Sequence, residues 1–386
     1  MALLRGAYLS QFEMQTYEKM LSSVDFTAFE LGINRFDSGL IKVPVKRIAS
    51  IDDPITVISK KLGFYFNLFL QATCGLDYLH LGLVKKLAGF DIVHTMETFN
   101  AFSYQGLLAK RRYGSKLVVT VWENRPFAAE RFERKRDMKY EVLRAADLLI
   151  PMTERAAECL ILEGADPERI EVLPVGINTQ RFNPEGDDGG IRRRLGITAD
   201  EIVILSVAAL RWEKGVYDLV HALKKLKSDP TLSGLNIRLL IAGSGPEKKE
   251  LESLCRRIGL EGSLLISRFG YEEIPQVYRA ADIFVLASCA RPGWLEQFGY
   301  VLPEAMASGL PVVATQSGSI AEVIGAHGIG VPPSDFLALA AALRPLIAEK
   351  TMRDELGRKA RRDAEMRYDA GKNAAKIEAA YRRLLE

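Results

Sequence analysis

Cysteine, histidine and tryptophan are all scarce in this 386-residue chain, and the first two scarcities narrow its chemistry. The four cysteines, Cys74, Cys159, Cys255 and Cys289, lie far apart, with no C-x-x-C pair and no cluster among the four histidines to complete a metal site. Reduced thiols in a cytosolic protein are the simple expectation. No D-x-D run is present, so neither a metal nor another cofactor is expected. An excess of charge of one sign is nearly absent too: 52 Lys and Arg against 49 Asp and Glu leave +3, a field too weak to argue for nucleic acid as the main partner. The first residues show no charged-then-apolar-then-small pattern, because Arg5, Glu13, Glu18 and Lys19 interrupt it early, so no export and a cytoplasmic location are expected. Internal repeats and low-complexity tracts are missing as well.

No apolar run is clean enough to span a bilayer. The nearest is Leu62–Val84, bracketed by Lys60-Lys61 and Lys85-Lys86, but Asn67, Gln71, Cys74 and Asp77 recur in it at helical spacing. A narrow polar stripe on an apolar helix reads as a mostly buried helix of a first domain. Contact with a membrane's inner face is the other reading. Residues 1–150 are mildly basic, with 21 Lys and Arg against 16 Asp and Glu, including Lys110-Arg111-Arg112 and Arg134-Lys135-Arg136. Such runs are solvated faces or a surface for an anionic partner.

Short β-branched runs alternate with helical stretches along the whole chain, which predicts a parallel sheet covered by helices. Strands are expected at Ala2–Tyr8, Phe26–Phe29, Asp91–Thr95, Lys116–Val121, Asp147–Ile150 and Ile170–Leu173. A second series is expected at Ile202–Val207, Arg238–Ala242, Leu264–Ile266, Asp282–Leu286 and Pro311–Ala314. Between them, a turn-rich stretch containing Glu-Gly-Asp-Asp-Gly-Gly reads as a linker. The expected organisation is a first domain over 1–180, joined by the C-terminal helix 368–386, a linker over 181–200 and a second domain over 201–367. Both domains read as doubly wound α/β units, whose ligands bind where loops leave the carboxyl ends of the strands.

Three clusters follow second-domain strands. In Arg211-Trp212-Glu213-Lys214-Gly215, cations beside the start of a helix suit a diphosphate. Gly243-Ser244-Gly245 offers close backbone approach. The third runs from Glu296 to Pro311, with seven residues between two carboxylates, Glu296 and Glu304, and Phe298-Gly299 at a helix start. Singly, each loop reads equally well as a tight turn or a solvated surface.

Together, in this order and spacing, the clusters resemble glycosyltransferase family 4, retaining enzymes of the GT-B fold marked by an E-x7-E motif. Tyr278–Val285 and Pro311–Thr315 extend the similarity, which covers about residues 145–345 well. The resemblance implies two Rossmann-like doubly wound parallel-sheet domains facing a central cleft. It implies a nucleoside-diphosphate sugar as donor and a hydroxyl group, on a glycan, a glycolipid or a small molecule, as acceptor. Lys214 would bind the diphosphate, Glu304 the ribose and Glu296 the hexose, with Gly243, Gly245 and the backbone of Phe298, Gly299, Tyr300 and Val301 around them. Where the family has an arginine, this chain has Ala209, and Arg211 is the candidate replacement.

The first domain would supply the acceptor side. Trp122 stands near the place of a family histidine, so that role is absent or falls to Glu123; His94, Glu97 and Glu13 are further candidates. His94 reads equally as a hydrogen-bonded structural residue. At least one of Trp122, Trp212 and Trp294 is expected to line the donor pocket. Catalysis would rest on Glu296, Lys214 and Arg211. A sugar-nucleotide hydrolase or epimerase, and a noncatalytic sugar-nucleotide-binding relative, remain as rival readings.

Overall fold

The structure, a computed structural model, describes residues 1–31, 34, 36–50, 53–74 and 79–386. They form two compact units: Met1–Gly176 with Ala370–Glu386, and Ile177–Asp369.

The first unit holds a parallel sheet of six strands: β1 (Ala2–Gly6), β2 (Thr27–Leu31), β3 (Val45–Ile48), β4 (Ile92–Met96), β5 (Lys116–Val121) and β6 (Leu148–Pro151). Their order is β3-β2-β1-β4-β5-β6. Central strands such as Lys-Leu-Val-Val-Thr-Val are buried almost throughout because helices cover both faces. Leu4, Val93 and Phe102 pack in one core cluster, and Leu117, Val119 and Val142 in another. The C-terminal helix Ala370–Leu385 belongs to this unit, where Asn373 donates to the Pro174 carbonyl at 2.9 Å.

In the second unit β7 (Ile202–Val207), β8 (Ile237–Ala242), β9 (Leu264–Ser267), β10 (Ile283–Leu286), β11 (Val312–Thr315) and β12 (Ile329–Val331) form another parallel sheet, ordered β12-β11-β10-β7-β8-β9. Its core gathers Ile204, Leu239, Val285, Val313 and Leu343. Each sheet therefore has the Rossmann order, which reverses between β1 and β4 in the first unit and between β7 and β10 in the second. Loops diverge at such a point and leave room above the strand ends.

Four expectations need correction. Ile170–Leu173 is no strand of the sheet: it makes one bridge, Ile170 with Leu149, and two backbone bonds to β6. Pro151 has no N–H to continue that ladder. Strands β3 and β12 were not anticipated; β3 exposes Lys46 and Arg47, and β12 is three residues with a central glycine. Residues 181–200, expected as a linker, fold onto the second unit, with Phe182 edge-on to Tyr278 and Arg192 donating to the Ala280 carbonyl at 3.1 Å. Finally, the helix Lys60–Cys74 is not mostly buried, because Leu62, Tyr65, Leu68 and Phe69, which share one side by helical spacing, are exposed. Asp77, and the side chains of Asn67, Gln71 and Cys74, lie outside the described residues. Among the described residues no helix is long and apolar enough to cross a membrane.

Candidate functional site

The loops that leave β7, β8 and β10 are pressed together by glycine. Gly215 has φ +66°, and a Cβ there would stand 1.8 Å from the Ala287 carbonyl oxygen just beyond β10. A Cβ on Gly243 would meet the Ala208 oxygen at 1.9 Å, and one on Gly245 the Leu210 oxygen at 2.3 Å. These two glycines thus allow loop-to-loop contact within the protein, a use that the reading of close approach to a ligand did not include. Leu210 N–H donates to the Ser244 carbonyl at 3.0 Å, and Cys289 N–H to the Glu213 carbonyl at 2.9 Å, so the loops are also bonded.

On this base Lys214 Nζ meets Glu296 Oε2 at 2.6 Å, across 82 positions of sequence. Ser288 Oγ donates to the same oxygen at 2.8 Å, and the Trp294 ring centroid lies 4.8 Å from the ammonium. Lys214, Glu296, Ser288 and Trp294 therefore form one cluster, partly open to solvent. The helix Val216–Lys227 starts beside it with Gly215 as its cap. The unpaired N–H groups of such a first turn favour negative charge.

Glu304 lies within the short helix Val301–Ala307 and is buried. Tyr278 Oη donates to its Oε2 at 2.9 Å, while its Oε1 is buried with no hydrogen-bond partner. Burial raises its carboxyl to about 7, against the opposing effects of the Tyr278 hydroxyl and the Arg181 charge. A carboxyl kept half-satisfied in this way is a strong acceptor for hydroxyl groups. Phe298 is core, edge-on to both Tyr300 and Tyr368, and Gly299 takes φ +75° to turn the chain into the helix at Val301.

Arg211 does not join the cluster. Its side chain is 61% exposed and pairs with Glu213 at 3.3 Å rather than with Glu296.

The first unit gathers some of the expected acceptor residues and withdraws others. Glu97, at the end of β4, has φ 63° and is buried. Its Oε1 accepts the Trp122 and Glu123 N–H groups at 3.0 and 3.1 Å, and its Oε2 has no partner. Burial, then the Glu123 charge, push this carboxyl to about 8 despite the two N–H donors. Glu123 takes a two-pronged contact from Arg125, at 2.8 Å on each oxygen. Trp122 itself packs against the core cluster around Phe102.

His94 and Glu13 are buried, and side chains of the first unit engage both. His94 Nδ1 lies 2.7 Å from Tyr381 Oη and Nε2 2.7 Å from Thr120 Oγ1, with the ring fully buried. Glu13 accepts from the buried Arg5 at 2.6 Å, and Arg5 also donates to Tyr17 Oη and the His94 carbonyl. These residues fasten the C-terminal helix and the first helix to the sheet, and burial drives the His94 imidazole well toward its neutral form.

Ser288, Tyr278 and Arg125 were not among the expected site residues. Ser288 follows β10 by two positions, a place where strand-end position alone marks a candidate. Tyr278 reaches Glu304 from 26 residues away, and only packing reveals it.

Comparison with known proteins bears on the family and the fold. Residues 187–363 match the family described as Glycosyl transferases group 1, and residues 63–176 match the Glycosyl transferase 4-like domain. A D-inositol 3-phosphate glycosyltransferase of Geodermatophilus obscurus is 35% identical over 221 residues, covering 55% of this chain and 48% of that protein. The same-named protein of Actinosynnema mirum is 33% identical over 288 residues, covering 67% and 66%. The chain spans about half the length of the first of these and two thirds of the second. Among solved structures, Anabaena HepE in complex with UDP superposes with a TM-score of 0.78 at 20% identity, covering 99% of each chain. The fold is therefore GT-B, with two Rossmann-type sheets, and the chain belongs to the group 1, family 4-type glycosyltransferases.

Proposed function

We propose that this protein is a retaining glycosyltransferase that moves a hexose from a nucleoside-diphosphate sugar to a hydroxyl acceptor. The observation that carries the donor half is the 2.6 Å pair of Lys214 and Glu296, assembled from two strand-end loops on the Rossmann switch point of the second unit. In this reading Lys214 turns to the donor diphosphate, and Glu296, held by Ser288, accepts from hexose hydroxyls. Glu304 accepts from the ribose hydroxyls through its unpartnered oxygen, and the backbone of residues 298–301 meets phosphate and sugar oxygens. The complex of HepE with UDP supports a nucleotide-sugar donor.

The chemistry required is modest. As the bond from the anomeric carbon to the diphosphate breaks, negative charge grows on the leaving phosphate. A cation and the positive end of the helix Val216–Lys227 stabilise it there. The acceptor hydroxyl attacks from the same face, and its proton passes to the departing diphosphate, so no protein nucleophile or strong base is needed. The absence of a D-x-D run supports a metal-independent reaction, with no further cofactor.

Glu97 and Glu123, with Arg125, are the acceptor-side polar groups of the first unit. The exposed Leu62, Tyr65, Leu68 and Phe69, with Lys61, Lys85 and Lys86 exposed in the same part of the sequence, support peripheral contact with the inner face of a membrane and a lipid-linked acceptor.

Incubation with UDP-, GDP- and ADP-hexoses and an acceptor panel, followed by NMR of the products, tests this. The panel includes D-inositol 3-phosphate, for which the curated relatives are named. A new glycoside with the donor's anomeric configuration is expected. An inverted anomer contradicts retention, free hexose alone indicates a hydrolase, and no product from any donor indicates a binding protein.

A further inference from the structure

The loop whose Trp294 carries the Lys214 ammonium holds a second cation, Arg291, that the donor reading leaves unused. The loop 211–215 carries Trp212 and Lys214, and the loop 289–297 carries Arg291, Trp294 and Glu296. The Lys214 ammonium lies 4.8 Å from the Trp294 ring centroid, and the Arg291 guanidinium lies 5.4 Å from that of Trp212. Each loop thus lends a cation to the other's indole, a crossed arrangement that holds the two loops side by side. The chain turns tightly at Pro292-Gly293, where Gly293 has φ 82°. Arg291 and Trp294 exchange backbone hydrogen bonds across it, at 3.2 and 3.0 Å. Residues paired directly across an antiparallel ribbon project to the same face. Arg291 therefore faces the side on which Lys214 rests against Trp294.

Charge decides what this neighbour is for. Lys214 is matched by Glu296 and Arg211 by Glu213, and Asp218 in the first turn of the adjoining helix adds a third carboxyl group. Those five groups are two cations and three acids, a poor receptor for a diphosphate. Arg291 is exposed and, among the described residues, forms no ion pair within 4 Å; its charge is felt at the Glu213 carboxylate, which Arg211 already pairs.

Resting on the donor reading above, we propose that Arg291 is the second cation of the diphosphate site, supplied from the loop that precedes Glu296. Its planar fork, stacked near a flat indole, is pre-ordered to give two parallel hydrogen bonds to phosphate oxygens. Lys214 and Arg291 then hold the diphosphate from two different loops. Trp212 and Trp294 keep both cations in place while no donor is bound.

Calorimetric titration of the full chain with UDP, GDP and ADP, and with uridine, guanosine and adenosine, tests the assignment on wild type, Arg291→Gln and Arg291→Lys. For the diphosphate that wild type binds, Arg291→Gln is expected to lose on the order of ten-fold in affinity. The matching nucleoside keeps its affinity, Arg291→Lys recovers part of the loss, and the salt dependence of diphosphate binding becomes shallower in Arg291→Gln. Unchanged diphosphate affinity in Arg291→Gln overturns the proposal. An equal loss for nucleoside and diphosphate overturns it too, since that marks collapse of the loop. If wild type binds none of the three diphosphates, the donor reading itself fails, and this assignment with it.

Discussion

Replacing Glu97 with glutamine isolates one buried proton and its effect on stability. In the folded protein the carboxyl titrates at about 8, raised from the ordinary value of 4.5 by burial first and the Glu123 charge second. Below pH 4.5 the folded and unfolded chains both carry the proton, so Glu97 adds no pH dependence. Between 4.5 and 8 the unfolded chain has released it while the folded chain retains it, and stability falls as pH rises. Each pH unit in that window removes about 1.4 kcal/mol, so by pH 7 the loss relative to acid is about 3 kcal/mol. Glutamine cannot ionise, and its carbonyl can still accept the Trp122 and Glu123 N–H groups. Its amide, placed where Oε2 has no partner, adds an offset that does not vary with pH. Urea unfolding at pH 5, 6, 7 and 8 should show the variant gaining on wild type by about 1 kcal/mol or more per pH unit. A difference that stays flat across this range would show that Glu97 is ionised in the folded protein and refute the reasoning.

Gly215→Ala should destabilise the second unit by several kcal/mol, because the new methyl meets a backbone carbonyl at 1.8 Å in a left-handed conformation; thermal unfolding followed by circular dichroism measures it. Glu13→Gln leaves the Arg5 charge buried without its ion partner and should lower stability by about 3 kcal/mol or more. Because Glu13 lies in a closed structural network, the activity of the protein that remains folded should be unchanged, measured as turnover per folded molecule at a temperature well below the transition. Lost turnover in fully folded Glu13→Gln would return this residue to the acceptor side.

Much of the second unit is legible in the sequence because its information is local. Strands such as Ile202–Val207 are continuous apolar runs, and Lys214, Glu296 and Glu304 follow strands at short, patterned distances. The first unit is harder to read. Strand β3 is an edge strand with two exposed cations, so the apolar signal is halved. His94 and Glu13 look like site residues at a strand end and a helix start, yet their partners, Tyr381 and Arg5, lie 287 and 8 positions away, and the sequence does not show that these groups consume them. The glycines of the β8 loop illustrate the same limit: their presence marks a close approach, but only the fold tells that the approaching group is the backbone at Ala208 and Leu210. Arg211 is the candidate replacement for the family arginine missing at Ala209, but its partner is Glu213, whereas Lys214 pairs with Glu296.

In the proposed function Lys214 leaves Glu296 for the donor and stabilises the departing diphosphate. Steady-state transfer from the nucleotide sugar that the wild type uses, measured for Lys214→Ala beside a thermal-unfolding control, tests it most directly. A fall in kcat on the order of a hundred-fold or more is expected, with little change in Tm, since the pair is partly exposed. A variant that folds normally and transfers sugar at the wild-type rate would contradict it.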